Sequence, residues 1–354
     1  MEVENFRNLE DGVITFEPKL NWLVGPNGQG KTNCLEGVYF VLTTKSFRTN
    51  RNSDLTGSAK QGSGLKGELI KEGARYVFSV NIVPGKTQRW LGEKACKPLD
   101  FFEIGSVISF TARNKALVEG QPDDRRRFLD RMIASLEPKH IMTLAKYRRI
   151  RGQLKKIMMS SKDLRVYRGF KSTACRSAME IVHKRIAFLE SIRSRCLEIH
   201  RDVFDGEADL YFDYRVRNCA ELSHYENRMM ELSAQELLYG RSMIGPHLDD
   251  IDIRFIGNKA RHFASSGQVR SIVLSMKLAV RETYHEKYGS YPIMILDDID
   301  AELDSERLSR LLNYLDTRGQ TLISTSKYGT IQGRLQDHVC MVHAGCISPE
   351  RKIE

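Results

Sequence analysis

A chain of 354 residues, 41 % apolar and 28 % charged, has a globular balance and room for one large domain or two to three smaller ones. Its seven scattered cysteines include no C-x-x-C pair, which argues against a disulfide framework or a zinc knuckle and for a reducing, cytosolic compartment. No apolar run approaches ~18 residues and the N-terminus is acidic rather than signal-like, so no membrane partner is expected for a chain of formal net charge +10.

In chain order, Val13 to Phe16 and Leu20 to Val24 read as short strands. Gly25-Pro26-Asn27-Gly28-Gln29-Gly30-Lys31-Thr32 then completes G-x-x-x-x-G-K-[ST]. A helix starting at Lys31 places Leu35, Val38, Tyr39 and Leu42 on one apolar face. Strand, glycine-rich loop and helix are the context a phosphate-binding loop requires. The glycines let backbone N–H groups face the phosphates of ATP, and the helix N-terminus adds partial positive charge. Lys31 would reach the β- and γ-phosphates, and the Thr32 hydroxyl would ligate Mg²⁺. Leu65 to Ile70 and Arg75 to Val83 alternate as further strands.

From about Arg125 to Arg201 the pattern turns helical, with Ile181, Ile186, Leu189, Ile192 and Leu197 at roughly helical spacing. Gly152, Gly169 and the Ser160-Ser161 pair are expected breaks, giving two or three helices in a compact arm rather than a long coiled coil. The stretch from Lys139 to Arg201 holds 17 Lys and Arg against four acids, more than the whole chain's excess. Such a block is either a solvated basic face or a polyanion-binding surface. On the second reading Arg148, Arg149, Arg151, Lys155 and Lys156 are the candidates for DNA contact.

Strand and helix alternate again from Glu236. A Ser265-Ser266-Gly267-Gln268 turn opens a helix through Leu274, Leu278 and Val280, presenting a hydroxyl and bare N–H groups to an anion. Ile293 to Leu296, followed by Asp297 and Asp298, describes a buried strand ending in carboxylates. Asp297 would hold the Mg²⁺ shell, and Asp298 would position or deprotonate the attacking water. Thr321 to Ile323 is another short buried strand. The histidines, His247 included, show no metal-ligand spacing. The expected fold is α/β, with a head split into residues 1–112 and 236–354 by a helical lobe at 113–235.

Taken together, these motifs resemble the RecF family, relatives of the ABC- and SMC-type P-loop ATPases with a short arm in place of a long coiled coil. The Ser266-Gly267-Gln268 turn is similar to the ABC signature motif, Ala301 to Asp304 to the D-loop. Asn5-Phe6-Arg7-Asn8, Ser46-Phe47-Arg48-Thr49, Leu117 to Asp130 and Ile244 to Asp250 match the family beyond the ATPase motifs. Thr111-Ala112-Arg113 and Leu248 depart from it, and so few residues precede Asn5 that the first strand is expected to be short.

The resemblance implies ATP held by Gly25, Asn27, Gly28, Gly30, Lys31, Thr32, Asn33, Arg7 and Asn8. It further implies an ATP-dependent homodimer in which Ser266, Gly267 and Gln268 of one copy meet the nucleotide of the other. Ser324-Thr325-Ser326 stands where transporter ATPases carry a histidine, with Thr325 the candidate γ-phosphate sensor. The family role it implies is weak DNA-stimulated ATP hydrolysis at single-strand/duplex junctions, with RecR and RecO, in the loading of RecA. Two other readings stay open: a DNA-binding module with a vestigial nucleotide pocket, and a transporter-type ATPase subunit.

Overall fold

The computed structural model describes residues 1–57, 62–160, 162–204, 209–331 and 337–349. The first third runs β1 (Glu2–Glu4), β2 (Gly12–Val13), β3 (Leu20–Val24), α1 (Lys31–Thr43), β4 (Ser63–Lys71), β5 (Ala74–Val83), β6 (Lys86–Leu91), β7 (Lys94–Ala95), α2 (Pro98–Ile104) and β8 (Val107–Phe110). A largely helical middle follows with α3 (Ala116–Glu119), α4 (Pro122–Leu136), α5 (His140–Met159), α6 (Leu164–Phe204), β9 (Leu210–Arg215), α7 (Tyr225–Glu231) and α8 (Ser233–Tyr239). The last part holds β10 (Asp250–Phe255), β11 (Asn258–Lys259), α9 (Ala260–Phe263), α10 (Ser266–Tyr288), β12 (Ile293–Leu296), α11 (Ile299–Glu302), α12 (Ser305–Leu315), β13 (Thr321–Thr325), β14 (His338–His343) and β15 (Cys346–Pro349).

Packing divides the chain into two compact units. The first comprises Met1–Asn114, Ile199–Gly206 and Lys277–Glu354. Its main sheet has the order β15-β14-β3-β13-β12-β8, parallel throughout except for the β15 edge. Every residue of β3 and β13 is buried, as expected of parallel strands covered on both faces. A second, antiparallel sheet has the order β2-β1-β4-β5-β6-β7.

Helix α1 packs against strands of both sheets. Leu35, Phe40 and Val41 share one core with Leu23 and Leu322 of the parallel sheet and Leu65, Phe78 and Val80 of the antiparallel one. The single apolar face read from the sequence is therefore too narrow a description: Cys34, Gly37 and Phe40 are buried as well. The strand expected over Val13 to Phe16 ends at Val13. Beyond it the Ile14 N–H still donates to the Met1 carbonyl, and Pro18 has no N–H to donate to a ladder.

The second unit comprises Lys115–Glu198 and Glu207–Met276. Residues 236–276, expected with the head, pack here because β10 pairs with β9 from Leu210↔Phe255 to Arg215↔Asp250, and α4 lies on β10. Arg125 grips Asp250 with two bonds of 2.6 and 2.9 Å, and Arg126 donates to the Asp249 carbonyl. Gly152 and Gly169, expected as breaks, lie inside α5 and α6.

Each interior glycine costs about 1 kcal/mol of helix stability, which the buried faces outweigh. On α6 that face includes Tyr167, Ala174, Ala178, Ile181, Val182, Leu189 and Ile192. The third expected break holds: α5 ends before Ser160 and α6 begins after Asp163, whose carboxylate accepts from the N–H groups of Arg165 and Val166 (Ser161 lies outside the described residues). Helix α6 has 41 residues, about 60 Å at 1.5 Å per residue, and is longer than any helix expected from the sequence.

Charged groups sit inside this unit. Arg185 donates twice to Asp130 at 2.9 and 2.8 Å, and also to the Tyr214 hydroxyl and the Pro246 carbonyl. Glu236 accepts from Tyr167, from Lys171 and from the Met243 amide.

Candidate nucleotide site

The loop between β3 and α1 is shaped by its glycines. A Cβ on Gly25 would lie 2.2 Å from the Val342 carbonyl oxygen, and Gly30 sits at φ +116°, a left-handed conformation that disfavours any side chain. The buried Lys31 ammonium donates to the carbonyls of Gly25 and Pro26, at 2.7 and 2.9 Å. Asn27 and Gly28 are exposed beside it.

Across the loop, β12 ends where the sequence places the two acids. Asp297 is buried, and its Oδ1 accepts from the Thr32 hydroxyl and from the Ser324 hydroxyl, both at 2.8 Å. Burial pushes its carboxyl above the ordinary carboxylate range against those two bonds, and the neighbouring Asp298 adds to the rise. Asp298 has a left-handed backbone at φ +52° and starts α11, and its N–H donates to the Ser324 hydroxyl at 2.8 Å. One serine on β13 therefore bridges both acids.

The neighbouring Thr325, expected as a phosphate sensor, is buried, and its hydroxyl bonds the backbone of Lys327. β-strand alternation sends the side chains of Ser324 and Thr325 to opposite faces, so only Ser324 joins the acids. Within the Ser324-Thr325-Ser326 run it is thus Ser324, rather than Thr325, that the strand turns toward the acids.

A second network stands behind the loop. Glu36, one turn into α1, is completely buried and receives Arg7 at 3.0 and 3.1 Å, Arg48 at 3.3 Å and the Ser46 hydroxyl. Asn8 accepts from the Asn33 amide at 2.5 Å, and Asn33 in turn accepts from Arg48. Arg7, Asn8 and Asn33 are thus assembled next to the loop. Glu36 holds the two arginines, a role that only the three-dimensional arrangement reveals.

The Ser266 turn lies in the second unit at the start of α10, with Ser266 exposed and Gly267 half-buried. Ser265 and Gln268 close a reciprocal cap: the Gln268 N–H donates to the Ser265 hydroxyl and the Ser265 N–H to the Gln268 side chain. Gln268 is thereby occupied locally, leaving Ser266 and Gly267 as the outward-facing pair. Of the five basic candidates, all exposed, Arg148, Arg151 and Lys155 line one cleft of this unit, and Arg149 and Lys156 do not.

The parallel sheet, the glycine loop on Lys31 and the acids at the end of β12 define an ABC/SMC-type P-loop ATPase head. Residues 1–71 match the family model described as the RecF/RecN/SMC N terminal domain. The chain is 32 % identical to the DNA replication and repair protein RecF of Lactobacillus johnsonii, over 98 % of this chain and 97 % of that protein. To the RecF of Bacillus cytotoxicus it is 31 % identical, over 94 % and 92 % of the two. Full-length similarity at this level makes it a member of the RecF family.

Among solved structures, an ATP complex of the recombination mediator protein RecF superposes with a TM-score of 0.88 at 21 % identity, covering 99 % of this chain and 96 % of the other. An SMC head domain from Pyrococcus furiosus gives a TM-score of 0.56 at 17 % identity, covering 99 % and 94 %. Both likenesses concern the fold. No helix among the described residues is long and apolar enough to cross a membrane.

Proposed function

We propose that this protein is an ATP-dependent DNA-binding protein of recombinational repair and replication, and a slow ATPase. The observation that carries the reading is the convergence of Thr32, Asp297 and Ser324 beside Lys31, joined by hydrogen bonds of 2.8 Å. Hydroxyl and carboxylate oxygens on a phosphate loop are the donor set a Mg²⁺–nucleotide selects: a hard cation takes one or two protein oxygens and keeps phosphate and water for the rest. Thr32 and Asp297 would hold the ion, which would neutralise charge on the bound phosphates. The buried carboxyl of Asp297, raised by desolvation and hydrogen-bonded, among the described residues, only to hydroxyls, fits that task.

Lys31 would exchange the carbonyls of Gly25 and Pro26 for phosphate oxygens. Asn27, Gly28, Gly30 and Asn33 would line the phosphates, with Arg7 and Asn8 beside them. Asp298 would orient the attacking water, its backbone fixed by Ser324. Ser266 and Gly267 would complete the site of a second copy, so that two heads close on two ATP molecules and stabilise the transition state in trans. DNA would meet the basic arm through Arg148, Arg149, Arg151, Lys155 and Lys156, by salt-sensitive backbone contacts. Family membership supports a place at single-strand/duplex junctions, with RecR and RecO, in the loading of RecA.

The test is ATP turnover at several protein concentrations, with and without gapped DNA, for the wild type, Lys31→Ala and Ser266→Arg. Turnover that rises with DNA and with protein concentration, and is lost in both variants, is the expected result. Turnover indifferent to DNA would point to a transporter-like head. DNA binding without any turnover would point to a vestigial nucleotide pocket.

A further inference from the structure

The basic candidates of α5 are joined by cations from elsewhere in the chain. Arg148, Arg151 and Lys155 are spaced i, i+3, i+7 and so share one helix face. They line a cleft of about 730 Å³ together with Arg217, which follows β9, and Arg241, which follows α8. No Asp or Glu lines this cleft, and among the described residues none of the five cations forms an ion pair. Met158, Met243 and Leu248 supply an apolar part of the lining. His247 stands in the lining too, hydrogen-bonded through Nδ1 to Tyr147 at 2.8 Å. All of these residues belong to the second unit.

Five like charges around one concavity repel one another, and an anion entering it relieves that repulsion. The shape decides which anion. A volume of this size is that of a site for a nucleotide-sized ligand. A duplex carries its phosphates on a broad convex cylinder that cannot enter, whereas an unpaired strand presents separate phosphates and splayed bases. The mixture of cations with two methionines and a leucine matches phosphate and base together, where inorganic phosphate would use the cations alone. We propose that this cleft binds one unpaired strand of nucleic acid, its phosphates on Arg148, Arg151, Lys155, Arg217 and Arg241 and a base against Met158, Met243 and Leu248. The assignment rests on the DNA-binding reading above and narrows it to a strand and a place. It also separates the two faces of α5, since Arg149 and Lys156 lie outside the cleft.

The experiment is fluorescence anisotropy of the full chain with a labelled oligothymidylate and with a labelled blunt duplex, over a salt series, with dTMP and inorganic phosphate as competitors. In the Arg151→Glu/Arg241→Glu variant single-strand affinity should fall about tenfold or more, as expected for two lost charge-assisted contacts. The slope of log K against log salt should shrink by roughly 1.4, the counterion release of two single-strand contacts. Duplex affinity should change far less, and Arg149→Glu/Lys156→Glu, whose side chains lie outside the cleft, should weaken single-strand binding several-fold less than the cleft pair. Should the double variant fail to fold, as judged by its circular dichroism melt, Arg241→Gln alone carries the test.

Equal weakening of both DNAs by both pairs would overturn the cleft and leave a diffuse basic surface, with the DNA-binding reading intact. Displacement of the strand by micromolar dTMP would reassign the cleft to a free nucleotide. A wild type that binds neither DNA would instead remove the DNA-binding reading itself.

Discussion

The buried cations of the helical unit and the charges at the nucleotide loop are handled in opposite ways. In the helical unit Arg185 meets Asp130 with two bonds and two further acceptors, and Lys171 meets Glu236, so each buried cation has its counter-charge. At the nucleotide loop the partners are neutral: Lys31 rests on two carbonyls, and Asp297 on two hydroxyls. A closed ion pair resists exchange because leaving it strands a charge in a medium that solvates it poorly. Carbonyls and hydroxyls can be given up for phosphate oxygens or a metal ion at little cost. The difference distinguishes charges that hold the fold from charges kept available for a ligand.

That contrast can be broken by mutation, beginning where the effect is largest. For Glu236→Gln chemical denaturation should show a loss of about 3–5 kcal/mol, because Tyr167 and the Met243 amide donate to different carboxylate oxygens, of which glutamine keeps one, and Lys171 is left without its counter-charge. Replacing the pair together, as Lys171→Met with Glu236→Leu, should recover most of that loss in the same measurement. Arg185→Met leaves the half-buried Asp130 beside His140 without its cation, and should cost about 3 kcal/mol.

At the loop the expectation reverses. Lys31→Ala should move stability by less than about 1 kcal/mol while removing ATP binding in a calorimetric titration. Asp297→Asn goes further: burial raises the carboxyl, so the ionised form is the one the fold disfavours. The amide should therefore raise the nucleotide-free Tm at pH 7 by on the order of 1–2 °C, with hydrolysis lost. An unchanged or lowered Tm would place Asp297 among the structural charges after all.

The smallest effect concerns His247, whose imidazole is pushed down to about 3 by burial, with Arg151, Arg126 and Arg185 adding to the fall. The unfolded chain takes up a proton near pH 6.5 that the folded chain refuses until about 3, so this residue withdraws stability as pH falls through that window. Between pH 6.5 and 8 it stays neutral, and single-strand affinity should be flat there rather than rising on acidification.

Much of this was legible in the sequence for a physical reason: local signals carry local structure. The glycine loop, the helix at Lys31 and the acids after Ile293 to Leu296 each announce themselves within a dozen residues, and the structure puts them where that pattern implies. Relations between distant segments were not legible. Ser324 reaches both acids from a strand 26 residues on, and Glu36 gathers Arg7 and Arg48 only once the chain has folded back. Arg217 and Arg241 join the α5 cations from loops whose composition says nothing about α5. Gly152 and Gly169 misled because a glycine weakens a helix only slightly when the opposite face is well packed.

The backbone of Asp298 bears on how a stalled form of the protein could be prepared. At φ +52° the position favours glycine, asparagine and aspartate, and strains other side chains. Asp298→Asn keeps shape and conformation while removing the charge, so it should arrest the protein after ATP is bound without disturbing the Ser324 bridge. Asp298→Ala, the usual first choice, would add backbone strain to the chemical change and blur the two. For separating ATP binding from hydrolysis in the proposed ATPase the amide is the cleaner tool.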